Sequence, residues 1–360
     1  MFESFGFEET TARQAAIVLG LGLGLAFGLL AEATRFCIRR GLVGPVAERR
    51  PALGVWLTAL AVAVVGTQAG VAKGLISFAD HRFMAADLPW LAIILGGLAF
   101  GAGMVLTRGC VSRLTVLAGS GNLRALTVLL VFAFTAHATL KGVLAPLRTT
   151  LGSVTLPMGE SVSLAALPGG AALWAAVIAL ISFSFAARSG ARPLHLGLAV
   201  LIGLLVPAAW IGTGFVLYDE FDPIALEGLS FTSPAAETLF WGVASTSIPA
   251  GFGVGLLGGV VAGALALSLV SGRFEWQSFS SPRETGRYLL GAVLMGIGGV
   301  LAGGCTVGAG LSGIPTLSVA ALLALASIAT GAVALNRLIS APPVAGSAAP
   351  RATPSALPAE

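Results

Sequence analysis

Three cysteines are nearly the only groups inside the apolar stretches of this chain that could do chemistry. Each lies where a hydrophobic run ends: Cys37 in Thr-Arg-Phe-Cys-Ile-Arg-Arg, Cys110 in Thr-Arg-Gly-Cys-Val-Ser-Arg, and Cys305 in Ala-Gly-Gly-Cys-Thr-Val-Gly-Ala-Gly. A thiol can ligate a metal, pair as a disulfide, attack as a thiolate, or donate a weak hydrogen bond. Metal ligation lacks company, because there is no Cys-x-x-Cys, no His/Cys cluster and no pair of carboxylates within a span. A structural disulfide is not expected either: the count is odd, and Cys110 and Cys305 approach from opposite faces. Ligand contact and plain packing as a small hydrophobe remain. Cys110 and Cys305 follow Gly109 and Gly304, and a glycine leaves backbone and thiol open to a close-approaching ligand. Cys37 sits beside Arg35, Arg39 and Arg40, and for it both readings stand.

The elements that must hold these thiols are membrane helices. Of 360 residues, 56% are apolar and 10% charged, and mean hydropathy is +0.94; a soluble domain carries roughly 25% charge. Apolar runs long enough to cross roughly 30 Å of hydrocarbon recur at about 14–34, 52–72, 90–109, 122–143, 168–187, 193–213, 250–271, 287–305 and 315–336. Basic residues cluster in alternate loops: Arg35, Arg39, Arg40, Arg49 and Arg50; Arg108, Arg113 and Arg124; Arg188 and Arg192; Arg273, Arg283 and Arg287; then Arg337. The positive-inside rule makes these cytoplasmic, giving an inner-membrane protein with its N-terminus outside and its C-terminus inside. The loop carrying Asp219, Glu220, Asp222, Glu227 and Glu237 falls outside. Topology and anionic lipid account for the pI near 9.4, so nucleic acid is not implied. No cleavable signal is expected, since Glu3, Glu8 and Glu9 precede the first span without a basic leader. Residues 341–360 are Ala/Pro-rich and expected to be disordered.

A shift of 195 residues superposes Leu95–Cys110 on Leu290–Cys305, matching Gly96/Gly291, Gly101/Gly296, Gly103/Gly298, Gly109/Gly304 and Cys110/Cys305. A second alignment, shifted by 175, places Gly212 opposite Cys37. The repeats, about 14–145 and 193–338, flank a linking span at 168–187, so the third and eighth spans end on opposite sides and the repeat is inverted. Residues 1–340 thus read as one polytopic domain. Inverted repeats build many transporters, which form the substrate path from broken or re-entrant helices. Val111–Gly121 and Thr306–Gly313 are too short to span and are expected to fold back as half-helices or loops lining a buried path. A half-helix N-terminus there presents N–H groups to an anion.

Other polar groups carry two readings each. His137 and Lys141, one turn apart, could draw an anion inward, against a snorkelling alternative. Arg108 and Arg113 could stabilise an anion leaving past Cys110, although topology alone places positive charge there. Glu32 with Arg35 is spaced as an i,i+3 ion pair. Thr67 and Gln68 read as interhelical hydrogen bonders, and Gly24/Gly28, Gly97/Gly101 and Gly255/Gly259 as close-packing faces. Gly253-Val254-Gly255-Leu256-Leu257-Gly258 matches a dinucleotide fingerprint by letter alone, without a preceding strand. No nucleotide-binding loop or hydrolytic constellation occurs, so neither a cofactor nor an enzymatic reaction is indicated.

Arg-Gly-Cys-Val-Ser-Arg-Leu with Leu-Ala-Gly-Ser-Gly-Asn-Leu-Arg, and Gly-Gly-Cys-Thr-Val-Gly-Ala-Gly-Leu-Ser-Gly, resemble the YeeE/YedE-like sulfur-transport membrane proteins, over the chain to about residue 338. The resemblance implies an all-α, inverted-repeat, hourglass-like fold of about nine transmembrane helices with short re-entrant helices. It implies thiosulfate uptake by way of Cys37, Cys110 and Cys305, and a small cytosolic sulfur-carrier protein as a recipient. A thiolate would repel a dianion by roughly 4 kcal/mol per charge pair at about 4 Å and a dielectric near 20, so the thiols are expected to be neutral and to bind the anion transiently. Two alternatives remain: a membrane sulfurtransferase carrying a persulfide, and an auxiliary subunit of a sulfur-handling complex.

Overall fold

The computed structural model describes residues 11–159, 161–219 and 223–340. The expected disordered tail at 341–360 and the acidic leader at Glu3, Glu8 and Glu9 lie outside the described residues. Among the described residues thirteen α-helices follow in order: α1 Ala12–Thr34, α2 Ile38–Val43, α3 Val46–Ala72, α4 Trp90–Leu106, α5 Val111–Gly119, α6 Leu123–Lys141, α7 Ala145–Gly152, α8 Gly170–Ala187, α9 Pro193–Ile211, α10 Thr232–Ala244, α11 Phe252–Val270, α12 Pro282–Leu301 and α13 Val319–Ser340. The strands are a two-residue antiparallel pair, Asp87–Leu88 with Leu156–Pro157. Nine stretches among the described residues are long and apolar enough to cross a membrane, and each coincides with an expected span. The protein is an all-α, multi-pass membrane protein.

Glycine decides which helices touch. Along α1 and α11, Cβ atoms on Gly24 and Gly28 would clash with the backbones of Leu256 and Val260. Those on Gly255 and Gly259 would clash with Ile17 and Leu21. Residue numbers rise together in these contacts, so the two helices run parallel. Gly97 and Gly101 likewise bring α4 against Ser327 and Ile328 of α13. In a membrane, where lipid tails are as apolar as leucine, such close backbone approach supplies much of the packing energy. Helices α4 and α12 meet antiparallel, Gly96 against Gly298 and Gly103 against Gly291. These are the glycines equated by the 195-residue shift, meeting crosswise.

Four spans do not run straight. The first, third and eighth break before Cys37, Cys110 and Cys305, and the sixth ends in a π-helical turn, Gly212–Val216. The segments after Cys110 and Cys305 are short helices as expected: α5, and a π-helix over Thr306–Gly313 whose residues are all buried. Helix α10, thirteen residues long, was not anticipated in what reads by composition as an acidic outer loop. It packs against α6 and α11.

Candidate functional site

One backbone device places all three thiols. Two residues before each cysteine the chain turns left-handed, at Arg35 (φ 51°), Arg108 (φ 57°) and Gly303 (φ 75°). The cysteine itself is extended and caps the next short helix, with φ of −171°, −81° and −89° for Cys37, Cys110 and Cys305. A left-handed non-glycine residue costs about 1–2 kcal/mol, so Arg35 and Arg108 hold strain that the surrounding packing must offset.

The thiols differ in company. Cys37 Sγ lies 3.6 Å from Cys110 Sγ, and Cys110 Sγ is 3.3 Å from Ser112 Oγ. All three cysteines are free and buried, Cys110 and Cys305 almost completely. Cys305 is alone, its sulfur accepting a hydrogen bond from the Gly308 N–H at 3.3 Å. The Cys37–Cys110 contact is held by an ion pair: Glu32 on α1 meets Arg113 on α5 at 3.0 Å and Arg273 at 3.9 Å. Glu32 therefore pairs with Arg113 and Arg273 rather than with Arg35, because Arg35 turns left-handed at the end of α1. Arg39 lies close enough for its charge to reach both thiols, and its Nε is buried without a protein acceptor.

Two cavities lead toward these breaks. The first, about 610 Å³, is lined by the end of α9, by the segment between α3 and α4 and by that between α9 and α11, including His81, Arg82, Trp210, Glu227, Ser230 and Glu237. Its floor reaches Gly308 and Ser312. The second, about 510 Å³, lies among the alternate loops and is lined by Arg35, Cys37, Arg40, Arg192 and Arg273, with Glu48. Since successive loops fall on opposite sides of a spanning bundle, the cavities open at opposite ends.

The first cavity carries unspent donors. Trp210 is 2% exposed, yet its Nε1–H has no protein acceptor, and neither does the buried Ser230 Oγ, which packs on Gly308. Thr213 Oγ1 accepts from the Glu227 N–H at 3.1 Å and fastens this loop to the sixth span. Arg82 and Glu237 are exposed side chains within this concavity. Burial and then the neighbouring Arg82 charge push His81 down to about 4, so the imidazole is neutral, its Nδ1 accepting from the Phe83 N–H at 3.3 Å. Burial and then the charge of Glu237 push Glu227 up to about 7, with Arg82 opposing. Glu237 is also raised, chiefly by burial, against Lys141 and Arg82.

Of the residues singled out by sequence, the structure brings Cys37, Cys110 and Arg113 together and sets Cys305 apart. Gly109 and Gly304 lie in the turns. Arg108 is exposed. His137 stacks on Phe240 at 4.4 Å, and neither it nor Lys141 lines either cavity. Gln68 donates to the Pro315 carbonyl at 2.7 Å as an interhelical bond, whereas the buried Thr67 hydroxyl finds no partner. His81, Arg82, Trp210, Glu227 and Ser230 were not anticipated. One signal was available: His81 and Arg82 stand in a loop where the positive-inside bias calls for no basic residue.

Residues 33–334 match a family model described as sulphur transport. Two relatives align with most of this chain. The thiosulfate transporter TsuA of Escherichia coli (strain K12) is 27% identical over 325 residues, covering 82% of this chain and 86% of the relative. The thiosulfate transporter TsuA of Spirochaeta thermophila is 26% identical over 318 residues, covering 85% and 93%.

Proposed function

The chain belongs to the sulphur-transport family, and on that premise we propose that it carries thiosulfate, or a closely related sulfur anion, inward past Cys305, Cys110 and Cys37. The observation that carries this reading is where the cavities end. Cys37 lines one of them, and the other is floored by Gly308, whose N–H binds Cys305 Sγ at 3.3 Å. Cys110, 3.6 Å from Cys37, continues the series inward from the second cavity.

The chemistry suits such an anion. Neutral S–H groups donate weakly to the terminal sulfur, which sulfate lacks, and weak sites in series let an ion enter and leave. A thiolate at about 4 Å would oppose each unit of anion charge by roughly 4 kcal/mol at a dielectric near 20. In this reading the second cavity opens to the cytoplasm, with the N-terminus outside and the C-terminus inside, and the positive-inside bias of the basic loops supports it. There Arg35, Arg40, Arg192 and Arg273 receive the anion, and a cytosolic sulfur carrier would collect it. The crosswise meeting of Gly96 with Gly298 and of Gly103 with Gly291 supports an inverted repeat.

Uptake of labelled thiosulfate by cells lacking other importers tests the reading. Wild type should accumulate it, and Cys110→Ala and Cys305→Ala, at equal membrane levels, should not. Undiminished uptake by both variants would make the thiols packing residues.

A further inference from the structure

The first cavity poses a difficulty for an anion path. Among its described lining residues, Asp80, Glu227 and Glu237 stand against one cation, Arg82, because the half-buried His81 is neutral. No cation lies within ion-pairing distance of Glu227 or Glu237 among the described residues. Yet the same walls hold donors without a protein acceptor: the Trp210 indole N–H, on a side chain 2% exposed, and the Ser230 hydroxyl above Gly308. Arg82 is near enough to interact with Glu227, Glu237 and the Cys305 thiol. A dianion bound at these donors would face the half-buried Glu227 carboxylate across the cavity, and the protein packed behind that carboxylate weakens the screening of their repulsion.

We propose that Glu227 is a proton-binding site, and that the anion occupies this vestibule on Arg82, Trp210 and Ser230 only together with a proton on that carboxylate. The inference rests on the transport reading above and adds the co-ligand. The groups that set the site are Glu237 on α10, which repels; Arg82, which attracts; neutral His81 beside it; Asp80 and Tyr218 at the rim; the Cys305 thiol below; and Lys141 on α6, acting on Glu237. Linkage is reciprocal: if the proton favours the anion, the anion favours the proton equally. Burial and Glu237 already raise Glu227 to about 7, so this carboxylate exchanges its proton in the physiological range.

The sign follows. Below the midpoint Glu227 is neutral and the anion enters freely. Above it each pH unit removes about tenfold of the competent form. Initial rates of thiosulfate uptake, measured in proteoliposomes of the full-length protein from pH 5.5 to 8.5, read this directly. Wild-type uptake should level off at acidic pH and fall about tenfold per unit on the alkaline side. Glu227→Gln should give a flat profile. Glu237→Gln removes the repelling charge and should move the midpoint to lower pH while keeping the slope. A flat wild-type profile would overturn the inference, as would a Glu227→Gln profile with the wild-type slope. If Glu227→Gln fails to reach the membrane, a Glu237→Gln midpoint unchanged from wild type also overturns it. Absence of wild-type uptake at every pH would instead sink the transport reading itself, and this inference with it.

Discussion

The two cavities differ in charge and in the thiol they approach. One is lined by Arg35, Arg40, Arg192 and Arg273 against Glu48 and ends at a thiol pair; the other is lined by Asp80, Glu227 and Glu237 against Arg82 and ends above a lone thiol. The backbone that presents the thiols is the same at both, a left-handed residue two positions before an extended cysteine. A shared turn therefore sets only where a thiol sits. Its neighbours decide what it can do: Cys37 and Cys110 can interact with each other beneath arginines, while Cys305 is tied to a backbone N–H in a turn of glycines.

The sharpest way to break this comparison is at the glycines preceding the matched thiols. A Cβ on Gly304 would lie 2.8 Å from the Ala309 nitrogen, which cannot retreat because it donates to the Cys305 carbonyl at 2.8 Å. A Cβ on Gly109 would meet only side-chain carbons, the end of the buried Leu114 at 3.1 Å. Gly304→Ala should cost about 1–3 kcal/mol and abolish uptake, and Gly109→Ala should lose only part of it. Thermal stability in detergent together with uptake checks both, and equal effects would mean that the two turns are not distinguished by packing.

A smaller effect probes the thiol pair. Diamide takes two electrons and two protons from a pair of thiols, and at 3.6 Å Cys37 and Cys110 need to close by well under 2 Å to reach a disulfide's roughly 2.05 Å. Peptide mass mapping after diamide should find Cys37 linked to Cys110, reversible by dithiothreitol, with Cys305 still free. A crosslink involving Cys305 would contradict its separation from that pair.

A last variant, Glu32→Gln, probes the ion pair beside those thiols. It weakens the tie to Arg113 and Arg273 and leaves a largely buried guanidinium without its anion, at about 1–3 kcal/mol. The same variant should slow the diamide crosslink, since that tie holds the Cys37 and Cys110 turns together. Lower stability with an unaltered crosslinking rate would assign Glu32 to the fold alone.

Much of the fold was legible in the amino-acid sequence. Hydropathy sums locally over about 20 residues, so all nine spans emerged within a few residues of their helices. The small-residue faces at Gly24/Gly28, Gly97/Gly101 and Gly255/Gly259 also met partners. The short segments after Cys110 and Cys305 were readable because glycine and length forbid a full span. Helix α10 was not, being thirteen residues in an acidic setting that looks like a loop. The Glu32 partner was missed because i,i+3 spacing presumes a continuing helix, and α1 ends before Arg35 can use it.

By itself the sequence determined that this is a membrane bundle with its three thiols, Cys37, Cys110 and Cys305, where apolar runs end, because composition and span length are sums over neighbouring residues. Only the tertiary structure decided that Cys37 touches Cys110, and that Arg82, Trp210, Glu227 and Ser230 share one cavity above Gly308. Those residues are up to 226 positions apart along the chain (308 − 82), and their meeting depends on glycine-mediated helix contacts that no local pattern encodes.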